Sequence, residues 1–304
     1  MTEYRLMSYQ SPSGPRAGLV VGEYVHDAGA VSGREDFRTA LGIISGWQHN
    51  ESILVALAKR CVGRPGIPLH EVAFLAPILY PPAVYCAGAN YTDHVENMER
   101  KLGLEHAPDP HANGGKPFHF HKAAYCCVGH RATVRRPSLR LDWEGELVAV
   151  IGVMARHVSI ANALDYVAGY MVGNDLSARD QAFRPELPRA SIFHHSWIDH
   201  KSFENAAPVG PWMVPASDIT DPSTLRIRTA VNGRIKQDGH TSNMIFSIQE
   251  QIAYLSSIIT LRPGDLIMTG TPAGVGAETD EFLNPGDTVT VEIDQVGTLT
   301  TLIA

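Results

Sequence analysis

The spacing of apolar residues changes along the chain and predicts where its helices and strands lie. Residues 4–9 and 17–21 are short apolar runs separated by a turn-rich segment, which predicts two strands. Apolar positions at helical spacing over residues 53–61 predict a helix. A proline-rich stretch over residues 77–82 then indicates a break. We therefore expect a small N-terminal α/β domain over residues 1–77.

Strand patterns dominate residues 78–304. Residues 147–153 are almost all apolar, as in a strand covered on both faces, and residues 169–173 repeat that pattern. Alternating apolar residues run into an Asn-Gly pair at 232–233, which predicts a hairpin. A capping box at residues 247–250 predicts one further helix. The second domain should therefore be a strand-dominated α+β domain.

Composition and charge narrow the functional classes. The chain has 304 residues, of which 44% are hydrophobic, so it should fold around a large core. Its net charge of -7 argues against binding to nucleic acid or to an anionic membrane. No apolar run approaches the roughly 18 residues of a spanning helix, and the first residues lack the layout of a signal peptide. Four cysteines without C-x-x-C spacing suit reduced thiols, so we expect a cytoplasmic protein.

Several familiar cofactor motifs are missing from the sequence. It contains no G-x-x-x-x-G-K phosphate loop, no G-x-S-x-G elbow and no H-E-x-x-H zinc helix. The glycine-rich segment Gly270–Gly276 does not spell the dinucleotide fingerprint. His119 and His121 would share one strand face, but no glutamate follows at the spacing of a cupin metal site. Packed or exposed histidines are the preferred interpretation of this pair.

An acidic cluster carries the strongest chemical signal. Glu144 and Glu146 are two residues apart, so both carboxylates project from the same face if the segment is a strand. Asp175 ends another apolar run about thirty residues later. Three carboxylates without thiolate or imidazole form an oxygen-only set that suits Mg²⁺ or Mn²⁺, with Ca²⁺ possible. From spacing alone, solvated acids at a strand end remain the alternative.

Four motifs in order carry a family resemblance. They are Asn90-Tyr91-Thr92-Asp93-His94, Leu141-Asp142-Trp143-Glu144-Gly145-Glu146-Leu147, Gly173-Asn174-Asp175-Leu176-Ser177-Ala178-Arg179-Asp180-Gln181 and Gly270-Thr271-Pro272-Ala273-Gly274-Val275-Gly276. Over roughly residues 78–300 the chain resembles the fumarylacetoacetate hydrolase family. The resemblance implies a mixed β-sandwich roll, metal ligands at Glu144, Glu146 and Asp175, Mg²⁺ or Mn²⁺ as the metal, and a homodimer.

The resemblance also implies two catalytic side chains. His94 matches the family's base histidine, and an imidazole titrates in a useful range. Lys201 resembles the family's active-site lysine, which would neutralise negative charge on the substrate. The alternatives are that His94 only orients a loop and that Lys201 is a surface lysine.

Four further residues are implied to bind substrate. Gln181 resembles a hydrogen-bonding glutamine, although a loop-stabilising amide is the alternative. Thr271 and Gly270 resemble a loop that holds the substrate carboxylate through backbone N–H groups. Lys122 occupies the place of a lysine often found before the metal strand.

One position departs from the family pattern. Many relatives carry a glutamate three residues after the base histidine, where this chain has Asn97, and an asparagine cannot take up a proton. Three nearby acids are candidate replacements: Glu96, Glu99 and Glu105. The polar segment Arg100–Lys116 is a candidate mobile loop that could close over the site.

The leading functional hypothesis is therefore a metal-dependent hydrolase. It would cleave a carbon–carbon bond in an acylpyruvate or fumarylpyruvate-type diketo acid, in the degradation of aromatic compounds. An oxaloacetate-type decarboxylase or a 2-hydroxyhepta-2,4-diene-1,7-dioate-type isomerase would suit Asn97, because neither needs an activated water. A non-catalytic dicarboxylate binder is the hypothesis from another class. The expected partner is a small anionic oxo acid.

Overall fold

The computed structural model describes residues 4–106 and 108–304. The N-terminal part contains four strands and three helices: β1 (Arg5–Ser11), β2 (Gly14–Val21), β3 (Tyr24–Asp27), α1 (Ala28–Ser32), α2 (Ala40–Ile44), α3 (Trp47–Cys61) and β4 (Ile67–Pro68). The predicted pair of strands and the predicted helix are present. The helix begins at Trp47, several residues before its apolar pattern becomes regular.

The remainder of the chain is richer in strands than in helices. Its first half contains β5 (Val84–Gly88), α4 (Thr92–Leu102), β6 (Phe118–Lys122), β7 (Cys127–Val128), β8 (Thr133–Val134), β9 (Leu141–Asp142), β10 (Gly145–Ile151), β11 (Val167–Asn174), β12 (Ser177–Ala178) and α5 (Trp197–Lys201). Its second half contains β13 (Ala207–Pro215), β14 (Arg226–Val231), β15 (Arg234–His240), α6 (Ile248–Ile258), β16 (Leu266–Met268), α7 (Gly276–Thr279), β17 (Thr288–Ile293) and β18 (Gly297–Ile303).

Two large sheets account for most strands of the described residues. The larger sheet follows the order β4-β3-β2-β1-β13-β11-β10-β16-β5-β6, with β7 beside β13. The N-terminal strands join it through Leu6, which pairs with Met213. The second sheet follows the order β15-β14-β17-β18-β8. The N-terminal strands thus extend the sheet of the larger part, and the boundary after residue 77 stays a prediction.

The core lies on both faces of the larger sheet. One face packs against the second sheet, where Leu147 and Tyr170 share a buried cluster with Ile227 and Val291. The other face packs against α2 and α3, where Val148 and Met171 share a cluster with Leu54. Adjacent residues of β10 therefore face different clusters, which explains why its sequence is apolar throughout. The strand-dominated α+β prediction is confirmed.

The local signals of the sequence are also present in the structure. The hairpin joins β14 to β15 at Asn232 and Gly233, both with positive φ. Ser247 and Glu250 form the capping box of α6. None of the helices in the described ranges is long and apolar enough to cross a membrane.

Candidate metal centre and active site

Strand pairing brings three carboxylates together at one end of β10. In the antiparallel pair β10–β11, Glu146 lies opposite Gly173 and Gly145 lies opposite Asn174. The backbone continues the pairing, because Asp175 N donates to Glu144 O at 2.8 Å. One ligand atom from each of Glu144, Glu146 and Asp175 lies within 4.8 Å of the others, in buried positions. The structure therefore assembles the predicted triad.

Glu146 is the member of the triad without a cation. Its Oε2 accepts from Gly270 N at 2.8 Å, whereas its buried Oε1 has no hydrogen-bond partner among the described residues. Burial raises the pKa of Glu146 well above its usual value, and the carboxylates of Asp175 and Glu144 raise it further. An unpartnered buried carboxylate oxygen beside two other carboxylates is the arrangement that a hard cation would satisfy.

Lys201 bridges the other two carboxylates. Its Nζ lies 2.8 Å from Glu144 Oε2 and 2.8 Å from Asp175 Oδ2. Burial opposes ionisation of Glu144, but Lys201 and Arg179 together hold its pKa well below its usual value. Lys201 also lies 5.0 Å from the centre of the Phe120 ring. The structure thus places the predicted catalytic lysine inside the site, with its charge directed at the acids.

Lys122 lies beneath the site with its ammonium group fully engaged. Its Nζ is 2.7 Å from Asp175 Oδ1 and donates to the carbonyl oxygens of Leu176, Lys201 and Ala206. Its side chain is 0% exposed. This geometry favours a role in fixing Asp175 over the direct substrate contact predicted from the sequence.

Charge counting shows what the site lacks. Four buried carboxylates face three cations in the described structure: Asp142, Glu144, Glu146 and Asp175, against Lys122, Arg179 and Lys201. One negative charge is left over, and it is located at Glu146. A divalent cation would supply the positive charge that Glu146 lacks, and its charge would attract an anionic substrate. The donor set and its charge therefore fit Mg²⁺ or Mn²⁺.

A glutamate from a distant part of the chain pairs with His94. His94 Nδ1 lies 2.7 Å from Glu278 Oε1, and Asn97 Nδ2 donates to Glu278 Oε2 at 2.9 Å. The pair is nearly buried, with His94 13% and Glu278 6% exposed. Although burial raises the pKa of Glu278, its hydrogen bonds from His94, Asn97 and Gly274 N lower it overall. An ionised Glu278 selects the tautomer with hydrogen on Nδ1, so that Nε2 is the proton acceptor.

Glu278 was not predicted from the sequence, and none of the three predicted acids takes its place beside His94. Glu99 lies 2.9 Å from His106, whereas Glu96 and Glu105 are exposed. Glu278 is contributed by α7, which follows directly after the glycine-rich segment Gly270–Gly276. Its place beside this motif was the one feature of the sequence that could have pointed to Glu278. Asn97 keeps a part in the site, because its amide holds the second oxygen of Glu278.

Of the remaining predicted substrate ligands, Thr271 and Gly270 make hydrogen bonds within the site, whereas Gln181 is exposed. The Thr271 hydroxyl donates to Gly145 O at 2.9 Å and accepts from Gln237 Nε2 at 2.8 Å. Gly270 N donates to Glu146, and two features require glycine there: its φ is 100°, and a Cβ would lie 2.8 Å from Asn90 Cβ. Gln181 is exposed at the end of a short 3-10 helix that begins at Arg179. Their substrate contacts stay predictions.

The two histidines of β6 do not join a metal-ligating group. His119 Nε2 lies 3.3 Å from Gln251 Oε1, and burial lowers the pKa of His119 to about 4. His121 is exposed and contacts the ring of Tyr85. Within the described residues, the acidic triad is the one group of such side chains arranged to hold a metal.

The predicted loop Arg100–Lys116 is partly helical. Its first residues complete α4, and its later part is tied to α6 where His111 Nε2 lies 2.9 Å from Glu250 Oε1. The loop covers a cavity of about 520 Å³ lined partly by Val95 and Met244. The lining includes Thr92 and Val95 of α4 but neither His94 nor Asn97.

Comparison with known proteins identifies the family. The model of the fumarylacetoacetate hydrolase C-terminal domain matches residues 83–304. The chain belongs to the fumarylacetoacetate hydrolase family. It is 34% identical to the human protein named oxaloacetate tautomerase FAHD2A, mitochondrial, over 98% of this chain and 90% of that protein. The family resemblance seen in the sequence is therefore confirmed.

Solved structures of this family share the fold along the whole chain. Maleylpyruvate hydrolase from Sphingobium sp. SYK-6, in complex with manganese(II) ion and pyruvate, gives a TM-score of 0.75 at 27% identity and covers 99% of this chain and 98% of its own. The 2-hydroxyhepta-2,4-diene-1,7-dioate isomerase from Mycobacterium marinum gives 0.69 at 32% identity, with coverage of 99% and 98%. The named relatives are enzymes with different reactions, so family membership supports an enzyme without choosing its chemistry.

Proposed function

We propose that this protein is a Mg²⁺- or Mn²⁺-dependent hydrolase that cleaves a carbon–carbon bond in an acylpyruvate-type diketo acid. The observation that carries the proposal is the His94–Glu278 pair, in which Glu278 provides the carboxylate partner of His94 that Asn97 cannot provide. Decarboxylation and isomerisation were the alternatives favoured by a missing glutamate. Because Glu278 supplies that carboxylate, the reason for preferring them is weaker.

The base would activate the attacking water. His94 Nε2 would take a proton from a water, while Glu278 holds Nδ1–H and stabilises the imidazolium that forms. The hydroxide would add to the carbonyl farther from the carboxylate. The bond between this carbonyl carbon and the neighbouring CH₂ group would then break. The products would be a carboxylic acid and the enolate of pyruvate, which is protonated to pyruvate.

Glu144, Glu146 and Asp175 would hold the divalent ion. When bound, this ion acts as a Lewis acid toward the keto acid and stabilises negative charge on its oxygen. Lys201 would add positive charge beside that oxygen, while Lys122 keeps Asp175 in place. Gln181, Thr271 and Gly270 would contact the substrate from the loops around the triad.

A second candidate function is the interconversion of the keto and enol forms of oxaloacetate. It is favoured by the name of the human relative, which shares 34% identity over almost the whole chain. The same base could remove a proton next to the keto group, and no water would be consumed. The expected cytoplasmic location stays a prediction, because that relative is named as mitochondrial.

We also propose a homodimer. Around α5 several large apolar side chains are exposed: Phe118, Phe193, Trp197 and Ile198. Exposed apolar surface of this kind is often covered by a second copy of the chain. Light scattering during size-exclusion chromatography should give twice the chain mass of 33.1 kDa. A monomer at micromolar concentration would contradict this part of the proposal.

The reaction can be tested by NMR analysis of products formed in ¹⁸O-labelled water. The Mn²⁺-loaded protein would be incubated separately with acylpyruvates, fumarylpyruvate and oxaloacetate, and a metal-free sample would serve as the control. Pyruvate together with an ¹⁸O-labelled carboxylic acid, formed only with metal, is the expected result. Rapid keto–enol exchange of oxaloacetate without cleavage of any diketo acid would replace the hydrolase proposal with the tautomerase.

A further inference from the structure

Asp142 makes four hydrogen bonds at a fully buried position next to the metal motif. Its Oδ1 accepts from Gly276 N at 2.6 Å and from Trp143 N at 2.8 Å. Its Oδ2 accepts from Ala277 N at 2.9 Å and from Arg179 Nε at 2.8 Å. The side chain is 0% exposed. Three backbone N–H groups and one guanidinium group therefore fix this carboxylate completely.

The Asp142 contacts fix the element that carries Glu278. Gly276 and Ala277 are the first two residues of α7, and Glu278 is the third. A helix of four residues has almost no hydrogen bonds of its own, so its orientation depends on contacts with the rest of the chain. Besides the bonds to Asp142, Lys101 Nζ donates to Ala277 O at 2.7 Å. The space is also tight, because a Cβ on Gly276 would lie 1.9 Å from Glu281 O.

Arg179 connects the same carboxylate to the metal-binding triad. While its Nε donates to Asp142, its second terminal nitrogen donates to Glu144 Oε1. A continuous path of hydrogen bonds thus runs from Glu144 through Arg179 and Asp142 to α7. There it continues through Glu278 to His94.

We propose that Asp142 is a positioning residue that holds Glu278, and through it His94, in a fixed place relative to the triad. The inference rests on the proposed function, because it assumes that His94 is the base. Asp142 touches no substrate in this role. It acts by fixing α7, so that the hydrogen bond from His94 Nδ1 to Glu278 keeps its length and direction.

The substitution Asp142→Asn tests this role with little change in volume. The amide keeps one oxygen for Gly276 N, but its NH₂ group would face two donors, Ala277 N and Arg179 Nε. We therefore expect α7 to shift. Asp142→Ser, which keeps a single acceptor without the opposing NH₂ group, serves as a second variant. Both variants are assayed below their melting temperatures, with the fold checked by circular dichroism.

The decisive measurement is a double-mutant cycle between Asp142→Asn and Glu278→Gln. Its kinetic readout is kcat on the compound that the product analysis shows to be turned over. If Asp142 acts through Glu278, Asp142→Asn should lower kcat about 10- to 100-fold and leave KM within about threefold. The double variant should then have a kcat within about threefold of Glu278→Gln alone.

Two further readouts do not depend on turnover. The proton on His94 Nδ1, observed by ¹H–¹⁵N NMR of histidine-labelled protein, should lose its downfield position in both single variants. Mn²⁺ affinity, measured by electron paramagnetic resonance, should stay within about threefold in Asp142→Asn. Asp221→Asn is the matched control, because Asp221 caps a 3-10 helix at Ser223 N, outside the metal site. It should change neither readout.

The failures of the two proposals can be told apart. The positioning role of Asp142 would be overturned if the effects of Asp142→Asn and Glu278→Gln on kcat multiply, or if the His94 resonance is unchanged in Asp142→Asn. Either result would leave the proposed His94–Glu278 base in place. Unchanged kcat in Glu278→Gln would overturn the His94–Glu278 base, and with it this inference.

Discussion

At the residue scale, Glu146 and Glu278 show how neighbouring groups give two glutamates opposite pKa shifts, although burial raises the pKa of both. Glu146 lies beside two other carboxylates without a cation, and its pKa is raised well above the usual value. Glu278 receives hydrogen bonds from His94, Asn97 and Gly274, and its pKa is lowered. The first side chain is suited to binding a cation, and the second to holding a protonated imidazole nitrogen.

Glu146→Gln should stabilise the metal-free protein while abolishing tight metal binding. Without metal, the Glu146 carboxyl group must either carry a charge beside Asp175 and Glu144 or take up a proton, and both cost stability. Glutamine avoids this cost, so the melting temperature in EDTA should rise by a few degrees, since about 1 kcal/mol corresponds to roughly 2–4 °C at this size. Addition of Mn²⁺ should raise the melting temperature of the wild type but not of the variant. The exposed Glu71→Gln serves as the control. A variant that melts lower in EDTA would contradict the charge count.

Glu278→Gln and Glu99→Gln should show which glutamate is the partner of His94: Glu278, which the structure places beside it, or Glu99, a candidate from the sequence. Glutamine at position 278 cannot stabilise the imidazolium form of His94, so kcat should fall about 10²- to 10³-fold. Glu99 is near in sequence but pairs with His106, so Glu99→Gln should stay within about twofold of the wild type. Steady-state kinetics on the same substrate give both values. Equal losses would mean that Glu278 has no special part.

At the element scale, the glycine-rich segment after β16 positions Glu278, the partner of His94. Gly274 has a φ of 100°, and its N–H donates to Glu278 Oε2 at 2.9 Å. A Cβ at this position would lie 2.0 Å from Lys236 O. Glycine is therefore required at position 274, because its backbone lies close to Lys236 on one side and donates to Glu278, the partner of His94, on the other.

Gly274→Ala should lower both stability and kcat, whereas Gly14→Ala should lower only stability. Both glycines have a φ above 90°, so alanine is strained at either position by about 1–3 kcal/mol. Nothing lies within 4 Å of a Cβ at Gly14, so that variant isolates the backbone strain. Urea unfolding and kinetics provide the comparison. A smaller loss of stability in Gly274→Ala than in Gly14→Ala would contradict the contact with Lys236.

At the scale of the whole molecule, partly buried neutral histidines should make the fold sensitive to acid. Burial lowers the pKa of both His119 and His130 to about 4, whereas histidine in an unfolded chain titrates near 6.5. The unfolded state therefore binds more protons between these values. Stability should fall as the pH decreases below about 6.5 and level off near 4 for these two groups.

The histidine contribution can be isolated with His119→Gln. For His119 the cost should reach about 2–3 kcal/mol by pH 4, since one pKa unit corresponds to about 1.4 kcal/mol. Carboxylates also lose stability in acid, so the useful quantity is the difference between the wild type and the variant. Urea unfolding at pH 7, 6 and 5 should show a shallower loss of stability in His119→Gln. Equal losses of stability in the wild type and the variant would show that protonation of His119 does not destabilise the fold.

The sequence predicted elements well where a local pattern decides them. The all-apolar run became β10, the Asn-Gly pair became the β14–β15 hairpin, and the capping box began α6, because each depends on neighbours within a few residues. It also predicted the triad, since alternation along a strand places Glu144 and Glu146 on one face. Asp175 was proposed because it ends another apolar run, and the pairing of β10 with β11 brings it beside them.

By itself, the sequence determined the fold class, the acidic triad and the family, because these depend on short-range periodicity and on motifs that can be read in order. Only the tertiary structure decided which carboxylate pairs with His94. Glu278 lies 184 residues away along the chain, and no local spacing connects the two. Their 2.7 Å contact exists because the N–H groups of Gly276 and Ala277 hold α7 in place through hydrogen bonds to the Asp142 side chain, which lies 134 and 135 residues away along the chain.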